Sequence, residues 1–278
     1  MNLDGKTMLV TGSTDGVGRR VALHLAESGA EVLAHGRSRE RGESLLAEMR
    51  AKGNDRGRFY RADFASLAEV RGLAEAVAKD HPRLSVLINN AGIGSAGPDG
   101  RRRETSRDGH ELRFAVNYLA GFLLTHLLLP ALKAGRPSRI VNVASLGQHP
   151  LDFADVMLTR TYDGGRAYSQ SKLAQIMFTL DLARELEGSG VTATSLHPAT
   201  YMDTTMVRHA GVSPISSVEQ GAEAILNLAV GPVPEDRSGA FYNGLHPSQA
   251  NAQAYDEAAR WRLRDLSRRL AGLGAVRG

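Results

Sequence analysis

The chain has 278 residues, 42% of them hydrophobic and 23% charged, and it contains no cysteine. That balance excludes a disordered or fibrous polypeptide, and the missing cysteine excludes a disulfide framework, a thiolate metal site and a cysteine nucleophile. The net charge is +4, with 29 Arg against 5 Lys, but the basic residues neither gather on one face nor form a recognisable module, so no nucleic-acid partner is expected.

The first residues, MNLDGKTMLV, lack the charged and apolar regions of a secretory leader, so a cytoplasmic location is the expectation. The most apolar stretch, 118–132, falls short of the ~20 residues of a membrane span and reads as a buried helix.

The elements alternate in kind along the chain. Residues 6–11 form a short apolar strand, 19–27 a helix with an apolar stripe, 31–34 a second strand and 40–52 a second helix. A short strand at 58–60 precedes a helix at 67–79, with Pro82 beyond it as a stop signal. Residues 84–89 (LSVLIN) are continuously apolar, as in a strand buried on both faces. A long helix at 111–132, a strand at 139–144, a long helix at 167–187 and a strand at 191–197 follow. Residues 231–234 read as a loop, and 260–269 as an amphipathic helix with a basic solvated face. This alternation implies βαβ units: one α/β domain over 1–278, a doubly wound parallel sheet with helices on both faces.

The first strand runs through Thr11-Gly12-Ser13-Thr14-Asp15-Gly16-Val17-Gly18 straight into a helix. Glycines there let a diphosphate approach the backbone, and a helix N-terminus offers free N–H donors and a positive dipole end. The second strand ends in His35-Gly36-Arg37 with no carboxylate. A carboxylate would suit the ribose of NAD, whereas Arg37 offers a fork to the extra phosphate of NADP, with Arg39, Arg41 or Arg19 as helpers. NADP(H) is therefore favoured over NAD. Tyr168 and Lys172 stand four apart on one face of a helix. An ammonium beside a phenol lowers the phenol's pKa, which makes the pair a general acid/base near neutrality.

Together with Asn89-Asn90-Ala91-Gly92 after one strand, Ser145 after another and Asn117 in mid-helix, these motifs make the chain resemble the short-chain dehydrogenase/reductase family from residue 4 to about residue 273. The 23 positions between Ser145 and Tyr168, the stretch RAYSQSKLAQIMFTLDLAREL and the tail YDEAARWRLRDLS resemble its retinol dehydrogenase-like branch. The resemblance implies that Tyr168 exchanges a proton with the substrate oxygen while hydride moves to or from the nicotinamide. It implies that Lys172 holds the nicotinamide ribose and tunes Tyr168, that Ser145 binds the substrate oxygen, and that Asn117 holds a relay water by bending its helix. Asp63 and Phe64 would meet the adenine, and Asn90, Ala91 and Gly92 the adenosine ribose. The family's Pro-Gly is Pro198-Ala199 here and a frequent Thr is Asp203, so the carboxamide falls to the backbone near Tyr201 and to Thr204. Asp15 stands where many NADP users carry a basic residue.

Substrate specificity is expected from residues 93–103, 146–166 and 201–217. Phe153, Val156, Met157, Leu158, Tyr162, Tyr201, Met202, Met206 and Val207 there point to a bulky hydrophobic ketone, aldehyde or alcohol. His149, His197 and His209 lack metal spacing, so no metal is expected. The helices at 111–132 and 168–187 are the faces this family pairs into homodimers and homotetramers. The competing readings are a non-catalytic NADP(H) sensor or scaffold on the same fold, or a dehydration or epimerisation with retained cofactor.

Overall fold

A computed structural model describes residues 2–95, 102–232 and 235–274. Residues 96–101 of the first expected substrate loop and part of the expected loop at 231–234 lie outside them.

The apolar runs form one eight-stranded sheet in the order β3-β2-β1-β4-β5-β6-β7-β8. Its strands are β1 Thr7–Val10, β2 Glu31–Gly36, β3 Arg58–Arg61, β4 Val86–Asn89, β5 Ser138–Val143, β6 Val191–His197, β7 Phe241–Asn243 and β8 His246–Ser248. The first seven pair in parallel, and β8 returns antiparallel to β7, which departs from the all-parallel expectation. Strand order reverses between β1 and β4, which are neighbours. In such a sheet ligands bind beyond the carboxyl ends at that switch point.

The helices are α1 Gly16–Glu27, α2 Arg39–Ala51, α3 Leu67–Asp80, α4 Ala120–Ala134, α5 Gly164–Glu185, α6 Thr205–His209, α7 Val218–Val230 and α8 Glu257–Leu270. One apolar layer joins α1, α2 and α7 to one face of the sheet, through Val21, Leu25, Leu45, Ile225 and Leu228. The other joins α3, α4 and α5 to the opposite face, through Val70, Leu87, Leu123, Leu128, Ile140 and Leu173. The doubly wound arrangement follows from strands that are apolar on both sides, with burial of Val86 through Asn89 complete along β4.

A π-helical turn, Phe114–Leu119, leads into α4, so the apolar helix runs Phe114–Ala134. It is longer than its apolar stretch foretells and, by length and composition, long enough to cross a bilayer. Yet 72% of its most apolar window is buried inside the protein. Its side chains Phe114, Phe122, Leu124 and Leu128 belong to the core.

Arg260 belongs to no solvated face. It is 4% exposed and donates to Asp181 of α5 at 2.8 Å and to the Ala254 carbonyl at 2.8 Å. Ser267 of α8 bonds the Tyr118 hydroxyl at 2.8 Å. A shallow groove beside them is lined by Tyr118, Phe122, Phe178, Leu182 and Leu263. The tail helix therefore lies over part of the surface that α4 and α5 were expected to offer a second subunit. Breaking the pair by Arg260→Ala leaves Asp181 with only the more distant Arg264, at 3.7 Å. The expected cost is about 3 kcal/mol in urea unfolding, and a loss under about 0.5 kcal/mol would contradict this role for the pair.

Candidate active site

The phosphate loop is built by short-range constraint. Gly12 has φ +64°, and a Cβ there would lie 2.8 Å from Ala91 Cα. A Cβ on Gly18 would strike the Gly12 carbonyl and the Asn90 side chain. The glycines thus let α1 start against the turn after β4. Thr11, which the motif reading passed over, ties the two turns. Its hydroxyl accepts from the Asn90 and Ala91 N–H groups at 2.9 and 3.0 Å, and Asn90 Nδ2 donates to the Thr11 and Gly12 carbonyls.

Ser13 and Gly12 are engaged within the fold. The Ser13 N–H donates to the His35 carbonyl at 2.9 Å and its hydroxyl accepts from the His35 N–H at 2.9 Å. The Gly12 N–H donates to His35 Nδ1 at 3.2 Å. Both N–H groups are thus engaged within the fold. The donors that helix geometry leaves to a ligand are those of Val17 and Gly18 in the first turn of α1, since Asp15 caps the Gly16 N–H at 2.7 Å. His35 is a further residue that motif reading misses. It is buried, stacks on Phe64 at 4.3 Å and meets the Ala62 carbonyl through Nε2 at 3.1 Å. Burial lowers its pKa to about 4, so the ring is neutral and Nδ1 accepts.

Arg37 stands exposed at the end of β2, and no hydrogen bond or ion pair holds its guanidinium among the described residues. Arg61 donates to the Arg37 carbonyl at 3.0 Å. Of the other expected helpers, Arg19 pairs with Glu48 at 2.5 Å and Arg41 with Asp15 at 3.3 Å, whereas Arg39 is exposed. Ser66 caps α3. Asp63 Oδ1 accepts from Ala65 N–H at 3.0 Å and Oδ2 lies 3.7 Å from Arg107. Thr14 lies against Gly36, where a Cβ would meet its hydroxyl at 2.6 Å.

Ser145, Tyr168, Lys172 and Asn117 converge at the carboxyl ends of β4 and β5. A Cβ on Gly147 would lie 3.5 Å from Ser145 Oγ and 3.7 Å from Tyr168 Cε1. The Gly147 N–H donates to Ser145 Oγ at 3.0 Å. A Cβ on Gly92 would lie 3.3 Å from Asn117 Oδ1 and 3.6 Å from Lys172 Nζ. Asn117 sits in the π-helical turn and is 2% exposed. It accepts from Ile93 N–H at 2.7 Å and donates to the Ile93 carbonyl at 3.1 Å and to Ser171 Oγ at 3.0 Å. Asn117 therefore lies within a widened helical turn.

The electrostatics reverse one expectation. Burial raises the Tyr168 pKa above the ordinary phenol value, the Ser145 hydrogen bond lowers it, and Tyr201 adds a further rise. Burial also lowers the Lys172 pKa to about 7. An ammonium that is itself desolvated is charged only part of the time near neutrality, so it does not depress the phenol as adjacency alone implies.

The segment after β6 folds over the phosphate loop. Thr204 caps α6 by accepting from Val207 N–H at 3.4 Å, and its methyl would lie 3.2 Å from a Cβ on Gly16. Thr205 donates to Asp15 at 3.4 Å. Tyr201 has φ +45°, is 52% exposed, and acts electrostatically on Tyr168. Of the expected substrate-lining side chains, Val156 and Leu158 are buried in the fold and Phe153 and Met157 pack onto the core. Met202 packs against α7 at Gly221. Tyr162 instead joins Arg113 and Glu111, accepting from Arg113 at 2.6 Å and donating to Glu111 at 3.1 Å. Leu146, Tyr201, Met206 and Ile215 remain exposed on the loops at the strand ends.

Comparison with known proteins agrees with this geometry. The short chain dehydrogenase family model matches residues 6–212. The chain is 37% identical to mouse retinol dehydrogenase 13 over 99% of its own length and 86% of that protein. An uncharacterised Mycobacterium paratuberculosis protein superposes with a TM-score of 0.81 at 29% identity, over 98% of this chain and 95% of that one. A short chain dehydrogenase from Burkholderia cenocepacia, solved in complex with NADP, superposes with a TM-score of 0.69 at 26% identity, over 87% of this chain and 97% of its own. The chain belongs to the short-chain dehydrogenase family.

Proposed function

We propose that the protein is an NADP(H)-dependent oxidoreductase that moves hydride between nicotinamide and a hydrophobic ketone, aldehyde or secondary alcohol. The observation that carries this reading is the convergence of Ser145, Tyr168 and Lys172 beside a glycine cradle at the sheet's switch point. The residues present fit a dinucleotide. Val17 and Gly18 in the first turn of α1 offer N–H groups to a diphosphate, and Arg37 has no competing partner among the described residues. The NADP complex of the Burkholderia relative and the dehydrogenase names of the curated relatives support the same choice.

The nicotinamide, when bound, supplies or takes the hydride. Ser145 Oγ, steadied by the Gly147 N–H, holds the substrate oxygen. Tyr168 donates its phenolic proton to that oxygen in reduction and takes it back in oxidation. The raised Tyr168 pKa keeps the proton in place until the substrate demands it, which favours the role of acid. Lys172 holds the ribose hydroxyls, and Asn117 fixes Ile93 in the cofactor cleft. Tyr201, Met206, Ile215 and Leu146 supply the apolar rim for a bulky substrate. The Phe114–Ala134 helix is part of the core in this reading, not a membrane anchor.

A fluorescence titration of the protein with NADPH and NADH tests the cofactor assignment. The expected result is preference for NADPH, and a loss of at least about tenfold in NADPH affinity on Arg37→Ala with NADH unchanged. Equal weakening of both cofactors, or preference for NADH, would remove Arg37 from the phosphate site.

A further inference from the structure

Gln175 lies three residues beyond Lys172 on α5 and is 4% exposed. Its Oε1 accepts from Lys172 Nζ at 3.0 Å, and the Val143 carbonyl at the end of β5 accepts from the same nitrogen at 2.9 Å. An ammonium has three donors and no acceptor. Two are fixed by neutral oxygens, and no carboxylate pairs with it among the described residues. The third is left for the cleft, where Gly92 keeps its near side clear: a Cβ there would lie 3.6 Å from Nζ. The Gln175 backbone is itself anchored. Its carbonyl accepts from Thr179 Oγ1 at 2.7 Å, and Thr179 accepts from Asn142 of β5 at 2.8 Å. The backbone from which the amide reaches the lysine is therefore held against β5.

We propose that Gln175 is a positioning residue for Lys172: its side-chain oxygen stabilises the buried ammonium in its charged form and aims the remaining N–H into the cofactor cleft. The consequence for turnover rests on the dehydrogenase reading; the effect on the lysine does not. The groups that face the ammonium are few. Tyr168 lies on the same helix, with Nζ 5.7 Å from its ring centroid. His197, from the end of β6, has its pKa lowered to about 4 by burial and by the Lys172 charge, so it stays neutral. Val143, Asn117 and Gly92 carry no charge. With no anion at hand among the described residues, the amide oxygen is the one side-chain acceptor among them that offsets the cost of burying this charge.

The test is a titration of the intact protein carrying 13Cε-labelled lysine. The chain has five lysines, so Lys172→Met assigns the resonance. Gln175→Met keeps the length and removes the acceptor, Gln175→Asn withdraws the amide by one methylene, and Gln175→Glu replaces it with an anion. The Lys172 midpoint is expected to fall by about one pH unit in the Met and Asn variants and to rise by about one unit or more in the Glu variant. The other four lysines should stay put. NADPH affinity of Gln175→Met should be about tenfold weaker at pH 8 and recover at pH 6, where the lysine recharges, a recovery that a core-filling role would not give. A Lys172 midpoint unmoved in folded variants, or displaced in one direction by both Met and Glu, would overturn the proposal. Expected shifts in a protein that reduces no carbonyl compound would sink the functional reading and leave this one standing.

Discussion

Tyr168→Phe is expected to lower kcat for carbonyl reduction by about 10³-fold while NADPH affinity stays within about threefold. The substitution removes only the phenolic hydroxyl. The ring still fills its place beside Gly147, and Ser145 keeps its bond from the Gly147 N–H at 3.0 Å. What is lost is the proton that must reach the substrate oxygen as hydride arrives. Water is a poor substitute because burial dominates the surroundings of this group. Steady-state kinetics with a bulky apolar ketone, alongside a cofactor titration, separates the two effects. A variant that keeps more than a tenth of wild-type kcat would remove Tyr168 from proton transfer.

Lys172→Met is expected to abolish turnover and yet stabilise the fold at neutral and acid pH. The folded pKa of about 7 lies below the ordinary value of 10.5 because the ammonium is buried. Between those two values the unfolded chain binds more protons than the folded one, so wild-type stability rises with pH across that window. Below about pH 7 the whole penalty is present; it corresponds to roughly 5 kcal/mol. Methionine escapes it but leaves the Val143 and Gln175 oxygens without a donor, at about 1–3 kcal/mol for each buried acceptor. The pH dependence is the clearer readout. Urea unfolding should show the variant's advantage over wild type shrinking by several kcal/mol from pH 6 to pH 10.5. An advantage that does not change with pH would mean that Lys172 is charged and well solvated in the folded protein.

The parts of the site that neighbour one another in sequence were the legible ones. The glycine loop, the turn at residues 89–92 and the pair Tyr168 and Lys172 are short patterns whose geometry follows from a strand end or one helix face. Gln175 was within reach of the same argument, since it is one helical turn from Lys172. His35 and Thr11 were not, because their partners Gly12, Ala62, Asn90 and Ala91 come together only when β1, β2 and β4 pair. Helix α7 carried a signal that went unused, a capping box at Ser217 and Gln220 ahead of Ala222, Ile225 and Leu228. Strands β7 and β8, of three residues each, are too short for any periodicity. The substrate loops misled because apolar side chains line pockets and pack loops equally well; Val156 and Leu158 do the second. Composition does not reveal that Asp181, 79 positions away, buries Arg260 in an ion pair. The sign of the Tyr168 shift depended on burial, which no spacing encodes.

The most direct test of the account follows the hydride. The protein is incubated with NADPH deuterated at the transferable position of nicotinamide C4 and with a panel of apolar ketones and aldehydes, and the products are analysed by mass spectrometry. The account predicts one deuterium on the carbinol carbon of the product with the wild-type protein, and about 10³-fold less labelled product in the same time with Tyr168→Phe. Alcohol formed without deuterium, or labelling undiminished in Tyr168→Phe, would contradict it.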